Sequence, residues 1–301
     1  MLLRSLLALV VGTLFSCAAL ADSRVLATIK PVQLISAALL DGIDEPAVLL
    51  PPGVSPHAFA LRPSDRRALA SAERIYWVGP NLERFLEDIL HDNGNARELM
   101  EIPDLTLREY EEEHAEHGHD HHDHHHDEGS LDAHIWLSPD NALVLARWMA
   151  ADLAPLYPAQ QDKLQSNLQR FEQQLAALDA DLKSRFAPLK GKSYFVFHDA
   201  YAYLEEHLGI QHTGVFSLSH EVQPGARHVN ELREQLRSAG RACVFSEPQF
   251  TPRLVNSLTE GLPVDSAQLD PLGADTPASA DGYMQMLGGL TDSLASCLEG
   301  I

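Results

Sequence analysis

Basic side chains are scarce in this 301-residue chain: 22 lysines and arginines face 43 aspartates and glutamates, a formal net charge of −21. Phosphate backbones and anionic lipid both need basic neutralisation, so nucleic acid and acidic membrane surfaces are excluded as partners. Small cations are compatible. Cysteine is also rare, at three residues, which leaves little room for a thiolate metal site. The apolar run at positions 6–15 falls short of the roughly 20 residues a membrane span needs. No HExxH pair is present, so the commonest helical zinc-hydrolase motif is missing.

What is there begins with an export signal: Arg4, the apolar run, and Ala19-Leu20-Ala21 as a small-residue cleavage site before Asp22. The expected mature chain starts at Asp22, without Cys17. A lipoprotein reading of the segment ending Ser16-Cys17 is weakened by the bulky Phe15. Export to an oxidising compartment makes a disulfide between Cys243 and Cys297 the expected use of the two remaining cysteines.

Residues 109–128 hold eight histidines (His114, His117, His119, His121, His122, His124, His125 and His126) and nine carboxylates, with no lysine or arginine. Such a run cannot bury a core, and its imidazoles will meet metal cations. The segment 108–130 is therefore expected to be a disordered loop holding auxiliary, low-affinity metal sites. Immediately after it comes Asp132-Ala133-His134-Ile135-Trp136-Leu137-Ser138-Pro139.

Elsewhere short β-rich runs alternate with amphipathic helices, the pattern of parallel sheets flanked by helices. Strands are predicted at 24–29, 46–50, 74–78, weakly near Met100, and at 193–197, 209–215, 242–246 and 263–268. Helices are predicted at 31–40, 63–72, 82–91, 139–153, 200–207, 226–238, 251–260 and 279–298. Between 159 and 187 there is neither glycine nor proline, and Leu164, Leu168, Phe171, Leu175, Leu178, Leu182 and Phe186 follow at spacings of three or four. They predict one helix of about 29 residues, roughly 43 Å long, joining two lobes. The domain expectation is a signal peptide at 1–21, an N-terminal metal-binding lobe at 22–157, a linking helix at 158–188 and a C-terminal metal-binding lobe at 189–301. The fold class is α/β, two similar βα lobes with parallel sheets.

In open α/β sheets ligands sit beyond the carboxyl ends of strands. His57, in the proline-rich stretch 51–57, His198 and Asp270 all follow predicted strand ends, and His134 leads into a helix. Three imidazoles and a carboxylate suit zinc, although manganese or iron(II) accept such donors too. Three histidines with water would also serve a hydrolase.

The runs Pro-Gly-Val-Ser-Pro-His-Ala-Phe (52–59), Asp-Ala-His-Ile-Trp-Leu-Ser-Pro (132–139), Phe-His-Asp-Ala-Tyr (197–201), Ser-Glu-Pro-Gln-Phe (246–250) and Leu-Asp-Pro-Leu-Gly (269–273) resemble the periplasmic zinc-binding component of ABC importers, the ZnuA type. The resemblance spans nearly all of residues 25–301. It implies a monomeric, non-enzymatic periplasmic protein that captures Zn²⁺ between two lobes and delivers it to an inner-membrane ABC permease. The family's ligand positions fall on His57, His134 and His198, with Asp270 or water as the fourth. Some members carry glutamate where this chain has Pro56, so that alternative carboxylate is absent. A histidine at 198, where manganese and iron relatives have a carboxylate, favours zinc.

Overall fold

The computed structural model describes residues 23–110, 131–217, 225–248, 256 and 258–301. The expected signal segment, the eight loop histidines between 114 and 126, and most of the helix predicted at 251–260 lie outside the described residues.

Two four-stranded parallel sheets are built to one plan. In the first, β1 (Val25–Ala27), β2 (Ala47–Val48), β3 (Arg74–Trp77) and β4 (Ala96–Glu98) run in the order β2-β1-β3-β4. In the second, β5 (Tyr194–His198), β6 (Gly214–Ser217), β7 (Ala242–Ser246) and β8 (Val264–Gln268) run in the order β6-β5-β7-β8. Each sheet reverses direction of travel at its first strand, which opens a crevice at the carboxyl edge.

The connecting helices are α1 (Lys30–Leu39), α2 (Pro63–Ser71), α3 (Glu87–Leu90), α4 (Pro139–Leu153), α5 (Gln161–Phe186), α6 (Ala202–Leu208), α7 (Ala226–Ala239) and α8 (Gly282–Gly300). Local chemistry sets their ends. Ser138 Oγ accepts the Asn141 N–H at 3.1 Å and Pro139 occupies the first turn, so α4 starts where the sequence predicts. Gly209, at φ 67°, stops α6: its N–H bonds Glu206 O, and Ile210 N–H bonds Glu205 O. That cap uses up the first residues of the strand predicted at 209–215, so β6 begins only at Gly214. The weak strand expected near Met100 lies slightly earlier, as β4, and residues Leu99–Glu101 form a 3₁₀ turn. The helix predicted at 82–91 is one α-turn, α3, entered through a 3₁₀ turn at Arg84–Leu86.

The long linking helix is α5, 26 residues and therefore about 39 Å in length. Leu164, Leu168, Phe171, Leu175, Leu182 and Phe186 of its predicted stripe are buried, and Leu178 is partly so. Each such side chain contributes roughly 1.5–3 kcal/mol on burial. The helix is more than a strut. α1, α4 and α8 pack along it, and one apolar cluster runs from β1 of the first sheet through these helices to β5 and β7 of the second. Gly282 permits α8 to approach α1, because a Cβ there would lie 2.8 Å from Leu34 Cδ2. Asn167 on α5 donates to the carbonyls of Leu39 and Asp41, and Arg170 pairs with Asp41 at 2.9 Å. A separate small core, including Phe195, Phe197 and Phe216, fills the far face of the second sheet.

Cys243 on β7 is bridged to Cys297 on α8, 54 residues away. Closing a loop of that size stabilises by about 4 kcal/mol at most in the chain-entropy model. The bridge ties α8 to its own sheet, as expected from the sequence.

Candidate metal centre

The crevice between the two sheets is lined from three directions by histidine. After β2 the backbone continues along the sheet, with Leu49 and Leu50 donating to Ala27 O and Thr28 O, and then turns through the prolines at 51, 52 and 56. His57 ends this loop half-buried, its N–H on Ser55 Oγ at 3.3 Å. His198 is the last residue of β5 and only 2 % exposed. His134 precedes a 3₁₀ turn at Ile135–Leu137 and is equally buried.

Ring centroids are 5.5 Å apart for His57 and His134, 5.4 Å for His57 and His198, and 5.0 Å for His134 and His198. One ring nitrogen from each lies within 4.8 Å of the others, the one group of its kind among the described residues. Tetrahedral zinc with nitrogen bonds near 2.0–2.1 Å needs donors on the order of 3.4 Å apart, so the cluster is close to a coordination shell. The structure brings these three predicted residues together. Asp270 is outside the group: its Oδ1 accepts the N–H groups of Leu272 and Gly273 at 3.0 Å, and its Oδ2 accepts Ala274 N–H at 2.7 Å. Burial raises its pKa, against those three hydrogen bonds.

Two carboxylates not assigned a role from the sequence stand behind the imidazoles. Asp132 Oδ1 lies 2.7 Å from His134 Nδ1 and accepts the His134 N–H at 2.9 Å. Glu247 Oε1 lies 3.4 Å from His198 Nδ1 and accepts the Tyr201 hydroxyl at 3.0 Å. Both carboxylates are 1 % exposed. Asp132 had a local signal, a carboxylate two residues before a histidine in a loop. Glu247 stands in the Ser-Glu-Pro-Gln-Phe run, but nothing in that run places it against His198, 49 residues away.

Three aromatic side chains tie this neighbourhood together. Tyr203, on α6, donates to Asp132 O at 2.9 Å and accepts Arg108 N–H at 3.0 Å. Trp136 Nε1 donates to Pro271 O at 2.8 Å, and Tyr283 of α8 donates to Trp136 O at 2.7 Å. The stretch around His134, from the first half of the chain, is thus held to the second by three side-chain hydrogen bonds made at Asp132 and Trp136. His57 has a different support, the proline loop of the first sheet.

Beneath the same crevice edge Glu83 is fully buried, with Oε2 accepting Val78 N–H at 2.7 Å and Gly79 N–H at 3.3 Å. Burial pushes its carboxyl up from 4.5 to about 7, although the Thr28 hydroxyl and those backbone groups oppose the shift. The folded carboxyl stays protonated across that interval while the unfolded one ionises. Its stabilisation is therefore complete below about pH 4.5 and is lost as pH rises through about 7. Glu83→Gln should stabilise the protein at pH 8, by up to about 3 kcal/mol, and have little effect near pH 4.5. Urea unfolding at the two pH values checks this, and an equal effect at both would refute it.

Paired parallel-sheet lobes, fused along a long helix and converging three imidazoles, two of them buried, on one point, define a two-lobed metal-binding protein. The chain belongs to the family described as periplasmic zinc-uptake complex component A, whose model matches residues 25–297. It is 41% identical over 294 residues to the high-affinity zinc uptake system protein ZnuA of Yersinia pestis, covering 93% of this chain and 92% of that one. With the protein of the same description from Haemophilus ducreyi it shares 36% identity over 291 residues, covering 92% and 94%. A crystal structure of ZnuA superposes with a TM-score of 0.75 at 23% identity, over 91% of this chain and 98% of that one. The fold and family expected from the five motifs stand.

Proposed function

We propose that this protein captures Zn²⁺ between its two lobes in the periplasm and passes it to an inner-membrane ABC permease, acting as a monomer and doing no chemistry on the metal. The observation that carries the reading is the convergence of His57, His134 and His198, with ring nitrogens within 4.8 Å of one another. Three nitrogen donors favour zinc over manganese, which prefers more oxygen and a larger shell. The fourth position goes to Asp270. Its Oδ1 already accepts two N–H groups, but Oδ2 accepts one and keeps a lone pair for a cation. A closed four-ligand shell suits capture rather than catalysis, because no position is left for a reacting water.

The domain division follows the same reading: lobes at 22–157 and 189–301, with 158–188 between them. The histidines at 114–126 serve as weaker auxiliary sites that add capacity. Calorimetric competition between zinc and manganese, on the full protein and on a variant lacking residues 111–128, tests both parts. One tight zinc ion should survive the deletion with unchanged affinity while the number of weaker ions falls. Tighter manganese, no tight ion, or turnover of ester or phosphate substrates by the zinc-loaded protein would overturn the reading.

A further inference from the structure

A histidine holds a metal through one ring nitrogen only while its proton sits on the other, and the hydrogen bond made by that other nitrogen decides which is which. We infer that Asp132 is the positioning residue of the centre: it locks His134 with the proton on Nδ1 and aims Nε2 into the space shared with His57 and His198. The inference rests on His134 being a ligand. What it adds is the origin of that ligand's orientation.

Three observations support it. The 2.7 Å contact to Nδ1 and the 2.9 Å bond from the His134 backbone N–H end on the same Asp132 oxygen, so ring, backbone and carboxylate form one closed unit. The ring cannot flip without breaking it. Asp132 is itself fixed: its N–H donates to Arg108 O at 2.8 Å and its carbonyl accepts the Tyr203 hydroxyl. Finally, Asp132 and His134 are 1 % and 2 % exposed, so water screens the carboxylate little and its charge favours a dication on the far side of the ring. The 3.4 Å separation of Glu247 from His198 makes the corresponding hold on the third histidine looser.

The stem that carries Asp132 brings a consequence. Glu109 and Leu131 pair as an antiparallel bridge, directly before Asp132, whose N–H donates to Arg108 O. The foot of the histidine-rich segment is therefore pinned beside the residue that orients His134.

The first test needs no variant. Long-range ¹H–¹⁵N spectra of the metal-free protein, with His134 assigned by the signals missing from His134→Ala, should show the His134 proton on Nδ1. A dominant Nε2–H form would overturn the inference. The second compares Zn²⁺ affinity, by competition with a chromophoric chelator, in the wild type and in Asp132→Asn. A loss of roughly 10–100-fold is expected, with an unchanged Co²⁺ absorption envelope because no ligand is removed. Unchanged zinc affinity would sink the positioning role. Wild-type protein that binds no zinc, or His134→Ala that binds as tightly as wild type, would instead refute the metal-site assignment itself.

Discussion

Replacing any one of His57, His134 or His198 by alanine should weaken zinc binding at the centre by about two to three orders of magnitude. Structural zinc sites of four ligands bind with roughly 10–16 kcal/mol, so one ligand accounts for about 3–4 kcal/mol. The three losses should differ in what happens to the metal-free protein. His134→Ala leaves Asp132, 1 % exposed, without the imidazole 2.7 Å away and with only the backbone N–H of residue 134 on Oδ1, and losing a partner of a buried carboxylate destabilises by about 1–3 kcal/mol. His57 sits half-buried on its loop, so its removal should spare the fold. Calorimetry with Zn²⁺ beside thermal unfolding of each metal-free variant reads both effects. Zinc binding that survived all three changes would mean that the metal is held elsewhere.

Acidification from about pH 7.5 to 5 should lower the apparent zinc affinity steeply, because proton and metal compete for each of three imidazole nitrogens. The sign follows from which form binds each partner: metal requires the neutral ring and protons accumulate only on the metal-free protein, so lower pH drives release. A chelator-competition series across this range checks it. Equal affinity at both ends would argue against a centre dominated by histidine.

Both effects depend on residues that the sequence marks out one by one and the fold assembles. His57 is recognisable because prolines stiffen its surroundings, His198 because it ends an apolar run, and His134 because Ser138-Pro139 opens a helix behind it. The linking helix is legible for an equally local reason: 29 residues without glycine or proline carry an unbroken stripe at spacings of three and four. Strand positions are legible to within a few residues. The failure at β6 came from Gly209, whose left-handed conformation completes the helix cap and delays the strand, a choice between two local uses of the same residues.

Composition, periodicity and caps thus determined on their own the acidic balance and the cysteine pair, which follow from counts over the whole chain, and the alternation of strands and helices, the long helix and the three candidate histidines, because each of these is written in neighbours a few positions apart. Tertiary structure alone decided that the two lobes share one apolar core along α5, that Tyr203, Trp136 and Tyr283 bind the His134 stretch to the second lobe, and that Glu247 stands behind His198. These contacts join positions between 49 and 147 residues apart. Their partners are selected by which faces pack, and by the need of each buried hydroxyl, indole and carboxylate to find a hydrogen-bond partner once water is removed.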